Sequence, residues 1–161
     1  MASNVFLVPC DADDFDRTVR TAVEVGDLPE RPAALDDASA VRLWGVPDGS
    51  SNESYFEKMA DGDLLLFYRD GEVVGTGRVG RTFEDEDGWV SETFWEDTDA
   101  SRVFTVEEFA AVSVPTSAVN RLFGYADGYT PQGFMRVADD RVPGRLDAVE
   151  LAVSEYSEAH A

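Results

Sequence analysis

Residues 42–79 read RLWGVPDGSSNESYFEKMADGDLLLFYRDGEVVGTGRV, and this order of residue types predicts a compact β-rich core. Trp44 ends a strand and runs into a polar loop and a short helix. An Asp-Gly-Asp turn then leads into two apolar runs that are joined by Asp70-Gly71. An Asp-Gly pair between apolar runs is a strong short-range signal for a β-hairpin. The stretch therefore predicts antiparallel strands that form a curved sheet or a small β-barrel.

The flanking sequence adds further strands and helices to this core. Strands are predicted at residues 4–8, 40–44, 64–68, 72–81, 88–94, 103–114 and 132–137. Helices are predicted at residues 11–25, 51–59, 115–123 and 145–156. The sum is an α+β fold of five to seven strands with flanking short helices. No repeat or linker divides the sequence, which predicts one domain over residues 1–161.

The second strong feature is the charge. The 161 residues carry 33 acidic and 13 basic side chains, a formal net charge of −20, and Lys58 is the sole lysine. Acid dispersed along the chain with almost no lysine predicts a halophilic surface, adapted to molar salt. At 1 M salt the Debye length is about 3 Å, so a nucleic-acid partner is not excluded by this charge. Such a partner would have to be bound mainly by stacking and base-edge hydrogen bonds.

Several kinds of chemistry are excluded by what the sequence lacks. Cys10 is the single cysteine and His160 the single histidine, so no internal disulfide, Cys-based zinc site or Ser-His-Asp triad can be assembled. We expect no cofactor and no metal. The apolar runs are too short to cross a bilayer and the N-terminus lacks signal-peptide features, so we expect a cytoplasmic protein without a membrane partner.

A glycine pattern at residues 75–80, GTGRVG, matches the dinucleotide-binding fingerprint G-x-G-x-x-G. That fingerprint requires a helix directly after it, whose N-terminus meets the pyrophosphate. Here the acidic, turn-like residues 81–89 follow instead. We interpret the glycines as positions that let a strand bend.

The tryptophans are the candidates for binding a planar ligand. Core packing is the usual role of a tryptophan, and it is the better interpretation for Trp89. Trp44 differs because it ends a strand and precedes a loop rich in hydrogen-bond donors. Stacking of a nucleobase on such a ring contributes about 1–3 kcal/mol. Trp44 is therefore predicted to line a pocket.

Short motifs through most of residues 3–138 resemble the PUA-like superfamily, and its EVE and YTH-like branch in particular. They are FLV at residues 6–8, RLWG at 42–45, NE at 52–53, GDLLLFY at 62–68 and VGTGRV at 74–79. The resemblance implies a small barrel with flanking helices and an aromatic cage that holds a modified or flipped base.

Residue by residue, the resemblance implies that Trp44 opens the cage. Gly45, Ser51 and Asn52 fall in the polar loop that would read the edge of the base. The identity of the second aromatic residue of the cage stays open. Its candidates, from the later strands, are Trp95, Phe104 and Phe109.

Two further groups are weaker candidates. Tyr129 lies in a Gly- and Tyr-rich loop that would fold over the pocket, although a surface turn anchored by buried rings fits the same pattern. Arg78 and Arg81 are the candidates for phosphate contacts, although arginines in so acidic a chain also pair with nearby carboxylates.

These features together predict a non-enzymatic nucleic-acid-binding domain that captures a modified or flipped base from RNA or DNA. One alternative is an amidohydrolase of modified nucleosides, like the related ASCH branch, whose chemistry uses a lysine. Only Lys58 is available, and it follows Glu57 on an exposed helix face instead of the desolvated surroundings a catalytic lysine needs. A second alternative is an acidic protein-interaction module.

Overall fold

The architecture is that of a computed structural model, which describes residues 4–95 and 100–160. The strands are β1 (Val5–Pro9), β2 (Val23–Glu24), β3 (Ala40–Val46), β4 (Leu64–Arg69), β5 (Glu72–Glu84), β6 (Arg102–Pro115) and β7 (Met135–Arg136). The helices are α1 (Ala12–Phe15), α2 (Ser50–Glu57), α3 (Trp89–Phe94), α4 (Thr116–Phe123) and α5 (Leu146–Ala159). A π-helical turn, Asp16–Arg20, continues α1 directly.

In the described part of the chain, seven strands form one mixed sheet in the order β2-β3-β6-β5-β4-β1-β7. β1 and β4 run parallel, whereas β1 with β7, β2 with β3, β3 with β6 and β4 with β5 pair antiparallel. The predicted α+β class and the number of strands are confirmed. The strand order is linear, so the sheet is open and not a closed barrel.

The chain divides into two compact units. The terminal unit comprises the described residues of Met1–Cys10, Gly62–Arg78 and Glu108–Ala161, and the central unit comprises Asp11–Asp61 and Val79–Glu107. The single domain expected over residues 1–161 stays a prediction.

The core of the terminal unit forms between its strands and two helices. β1 is an unbroken apolar run, which suits a strand that pairs in parallel and is covered on its faces. α5 presents one apolar stripe because Leu146, Val149 and Val153 recur at helical spacing. The residues of this core are Val5, Leu7, Leu64, Leu66, Val73, Val114, Val119, Phe123, Val137, Leu146, Val149 and Val153.

The hairpin predicted from Asp70-Gly71 is confirmed. Arg69 pairs with Glu72 across the turn, and Asp70 and Gly71 have φ angles of 50° and 79°. A two-residue turn with positive φ at both positions matches the twist of antiparallel strands. Asp and Gly tolerate that conformation, so local sequence alone specifies this connection.

Three predicted elements differ in the structure, of which the strand expected over 132–137 is reduced to the two residues Met135–Arg136. Residues 88–94 were expected to form a strand, but α3 occupies this position, and the strand prediction is wrong. The buried carboxylate of Asp85 accepts hydrogen bonds from the backbone N–H groups of Trp89 and Val90, which caps the helix. The helix expected over 11–25 is also shorter, because it ends with the π-helical turn and Val23 begins β2.

No helix within residues 4–95 and 100–160 has both the length and the apolarity that a membrane span requires.

A buried pair fixes the start of the parallel strands. Asp63 is fully buried, and its carboxylate accepts hydrogen bonds from the backbone N–H of Asn4 at 3.2 Å and from Asn4 Nδ2 at 2.9 Å. Arg136 Nε in turn donates to Asn4 Oδ1 at 2.8 Å. These bonds set the register in which Val5 pairs with Leu64.

Asp63→Ala is expected to lower the free energy of unfolding by roughly 2–3 kcal/mol, because two buried donors of Asn4 lose a charged acceptor. Urea denaturation followed by circular dichroism measures the change. Asp61→Ala, at an exposed position two residues earlier, is the matched control. Equal stability losses in the two variants would contradict this role of Asp63.

Candidate aromatic binding site

Three aromatic rings meet in the central unit. Trp44 lies near the end of β3, where it pairs with Phe104 of β6. Its ring centroid is 6.3 Å from that of Phe15 and 5.8 Å from that of Trp95, and both contacts are edge-to-face. We call Phe15, Trp44 and Trp95 the aromatic cluster. Trp44 is 8% exposed, so the cluster is closed around it.

Gly45 allows Trp95 to reach the backbone of β3. A Cβ atom at this position would lie 3.0 Å from Trp95 Cζ3 and 2.7 Å from Ala100 Cβ. Both distances are shorter than ordinary van der Waals contact, so a side chain here would push Trp95 away from the strand. The absence of a side chain at Gly45 is thus part of the geometry of the cluster.

A hydroxyl group joins Trp95 to β3. Trp95 Nε1 donates a hydrogen bond to Thr18 Oγ1 at 3.2 Å, and Thr18 Oγ1 donates to the carbonyl oxygen of Leu43 at 2.7 Å. Thr18 is fully buried, and it lies in the π-helical turn. The orientation of the indole is therefore fixed by a polar chain that ends on the strand of Trp44.

The loop after β3 is fixed by polar contacts with its neighbours. Asn52 Nδ2 donates to the carbonyl oxygen of Pro47 at 3.0 Å. Asp48 accepts from Ser101 Oγ at 2.7 Å. Arg102, 19% exposed, pairs with Asp48 at 3.5 Å and with Glu53 at 3.1 Å.

Ser51 is exposed in the first turn of α2, and Asn52 beside it is half-buried. The two residues expected to read a base edge thus lie next to each other at the start of α2. Because the Asn52 amide nitrogen donates to Pro47, its present contact serves the loop.

Three of the other expected site residues belong to the terminal unit: Phe109, Tyr129 and Arg78. Phe109 is half-buried in β6. Tyr129 stacks on Tyr125 with centroids 4.6 Å apart, and its hydroxyl contacts Met135 Sδ at 3.4 Å. Its loop is therefore anchored by ring packing.

The two expected phosphate contacts are arginines with protein partners. Arg78 bonds to Asp147 at 2.7 Å and to Glu150 at 2.9 Å. Burial lowers the pKa of Arg78, but the hydrogen bonds and charges of the two carboxylates outweigh it and raise that pKa above its usual value. Arg81 donates to the carbonyl of Ala34 at 2.7 Å, and its side chain is 55% exposed. Arg78 holds α5 to the sheet, whereas Arg81 is within reach of solvent.

Other chemistry considered from the sequence has no assembled site. Residues 75–80 lie inside β5, so the glycine pattern does not precede a helix. Lys58 is exposed at the C-terminal end of α2. Among residues 4–95 and 100–160, no group of three or more His, Cys, Asp or Glu side chains could hold a metal ion.

Sequence patterns did not assign Phe15, Thr18 or Arg102 to this site. One feature of the sequence could have pointed to Thr18. It follows Phe15 by three residues and lies on the apolar face of the predicted helix. A hydroxyl on a buried helix face needs a partner. No local pattern pairs Arg102 with Asp48 and Glu53, because they are about 50 residues apart.

Similarity to known proteins lies in the fold. No protein-family model matches the sequence, and no curated protein matches it. The N-terminal domain of Thermococcus gammatolerans McrB, solved bound to m5C DNA, superposes with a TM-score of 0.71 at 18% identity, covering 93% of this chain and 99% of that one. The MmI1 YTH domain gives a TM-score of 0.52 at 14% identity, covering 95% and 99%. The chain therefore has the fold of these two domains.

Gly45→Ala is expected to lower the free energy of unfolding by roughly 1–3 kcal/mol and to change the near-UV circular dichroism, because the added methyl group displaces Trp95. Chemical denaturation and near-UV spectra measure the two effects. Gly128→Ala is the control, since no atom lies within 4 Å of a Cβ built there. An unchanged near-UV spectrum in Gly45→Ala would contradict the close packing of Trp95 on β3.

Proposed function

We propose that this chain is a non-enzymatic nucleic-acid-binding domain that captures a modified or flipped base in the central unit. The observation that carries the proposal is the joint presence of a shared fold and an aromatic cluster. The fold is that of a domain solved with m5C DNA, over nearly the whole of both chains. At the end of β3, where the sequence resemblance expects the cage, Trp44 and Trp95 lie 5.8 Å apart.

In this proposal Trp44 stacks on the base, Trp95 forms a wall of the pocket, and Ser51 and Asn52 read the edge of the base. Trp44 is 8% exposed in the present structure, so a base reaches its face only after a neighbouring group has moved. Binding is therefore expected to follow a conformational step, which slows association relative to a preformed pocket. Phe109, Tyr129 and Arg81 remain candidates for contacts to the rest of the nucleic acid.

The charge of −20 restricts how such a domain can bind a polyanion. We infer that it works at high salt, inside a halophilic cell, where distant charges are screened. Contacts to phosphates weaken steeply as salt rises, whereas base stacking does not depend on counterion release. A domain of this composition therefore gains its affinity mainly from contacts to the base and little from contacts to the phosphate backbone. We place it in the cytoplasm.

Trp44→Leu is expected to weaken binding to a duplex with one 5-methylcytosine by about 10- to 100-fold, because stacking contributes about 1–3 kcal/mol per base. Fluorescence anisotropy of labelled duplexes in about 2 M KCl, where distant charges are screened, measures the affinity. Leucine keeps an apolar side chain in the core, so circular dichroism should show a folded protein.

Two controls accompany this variant. Trp44→Phe keeps an aromatic face and should retain most of the affinity. Trp89→Leu removes a tryptophan outside the aromatic cluster, one whose Nε1 bonds to the carbonyl of Pro29, and should bind like the wild type. If the wild type bound methylated and unmethylated duplexes equally, and modified RNA no better, the proposal would fail and the protein-interaction alternative would gain support.

A further inference from the structure

We propose that Thr18 is a positioning residue for base recognition, because it fixes Trp95 as the immobile wall of the pocket. This inference rests on the proposed function and deepens it. Thr18 itself does not touch the ligand in this account, since its side chain is fully buried. It acts through the indole N–H of Trp95 and through the backbone of β3.

The first argument is the hydrogen-bond chemistry of the threonine hydroxyl. This group has one proton to donate and lone pairs with which to accept. In the structure it accepts from Trp95 Nε1 at 3.2 Å and donates to Leu43 O at 2.7 Å, which is nearer than the second carbonyl within reach, Asp14 O at 3.3 Å. Both bonds are buried, so replacing the hydroxyl would leave an indole N–H and a carbonyl group without this partner. The indole is therefore held in one orientation by the cost of breaking its buried hydrogen bond to Thr18.

The second argument is that the segment carrying Thr18 is itself held on both sides. Arg17 Nη1 donates to the carbonyl of Phe94, the residue before Trp95, at 2.9 Å. Arg42 of β3 donates through Nε to the carbonyl of Val19 at 2.7 Å. Consecutive residues of the π-helical turn thus contact the two elements that carry Trp95 and Trp44. Such turns are frequent at functional sites.

The third argument is the consequence for the ring. Trp95 lies against Gly45 and meets the Trp44 ring at an angle of 68°. An indole that rotates would lose the edge-to-face contact and would change the space that a base could fill. Discrimination between two bases that differ by one methyl group depends on that space. Thr18 is therefore expected to affect selectivity more than overall affinity.

The experiment compares Thr18→Val, which is nearly isosteric but lacks the hydroxyl, with Thr18→Ser, which keeps it. The readout is the ratio of dissociation constants for an unmethylated duplex and for the same duplex with one 5-methylcytosine. Thr18→Val should lower this ratio by about tenfold, the change that corresponds to one lost hydrogen bond of ordinary strength. Thr18→Ser should stay within about twofold of the wild type, because both hydrogen bonds persist.

A double-mutant cycle separates positioning from a merely structural role. Trp95→Phe removes the N–H donor but leaves Thr18 bonded to Leu43. It should lower the ratio by itself, and Thr18→Val should then add nothing further. Should Thr18→Val fail to fold, Trp95→Phe alone still tests the indole hydrogen bond. In the absence of DNA, near-UV circular dichroism of Thr18→Val should show a loss of the Trp44–Trp95 coupling that Thr18→Ser retains.

The outcomes distinguish this inference from the function on which it rests. A wild type that does not prefer the modified base overturns the proposed function, and the role of Thr18 with it. A wild type that discriminates, with Thr18→Val discriminating equally well, overturns the role of Thr18 alone. An effect of Thr18→Val that persists in the Trp95→Phe background also overturns it, because the threonine would then act without the indole.

Discussion

The terminal unit depends on a carboxylate that has no access to water. A buried charge is tolerated only when hydrogen bonds replace its hydration, and Asp63 obtains two of them from Asn4. That requirement fixes the point at which β1 meets β4. It thereby places Val5, Leu7, Leu64 and Leu66 in the core that α4 and α5 cover. A slip of β1 by one residue would turn Val5 and Leu7 to the opposite face of the sheet.

The central unit is organised by a second constraint of the same kind, a buried donor that needs an acceptor. The indole N–H of Trp95 donates to Thr18 Oγ1, and this hydroxyl donates in turn to the carbonyl oxygen of Leu43 in β3. Gly45 lets the ring come close enough for this chain to form. The three segments involved lie far apart in the sequence. They supply the hydroxyl of Thr18, the position without a side chain at Gly45 and the indole of Trp95.

Placing Trp44 in a closed aromatic cluster gives it two roles that compete. As a buried ring it contributes to the stability of the unit, and in the proposed function it must become accessible as a stacking surface. Proteins commonly hold functional residues in arrangements that sacrifice some stability. Here the polar contacts hold Trp95 and the loop after β3. In the proposed function, the net charge of −20 adds a further condition, since little attraction for phosphate is available to offset an opening of the cluster.

Local chemistry in the sequence was sufficient for the hairpin at Asp70-Gly71, for the helical spacing of the buried residues of α5, and for placing Trp44 in a strand, although that strand continues to Val46. These features depend on turn conformation, on helical spacing and on the order of residue types. All three are determined by residues that are close together in the sequence. The helix at 89–94 was not predictable in this way, because its cap is supplied by the buried carboxylate of Asp85. Local sequence also could not predict that Trp95 is the ring that contacts Trp44, or that Thr18 accepts a hydrogen bond from its indole. The same holds for the ion pairs between Arg78 and α5. Each of these depends on groups that are remote in the sequence and come within a few ångströms of each other only when the chain has folded.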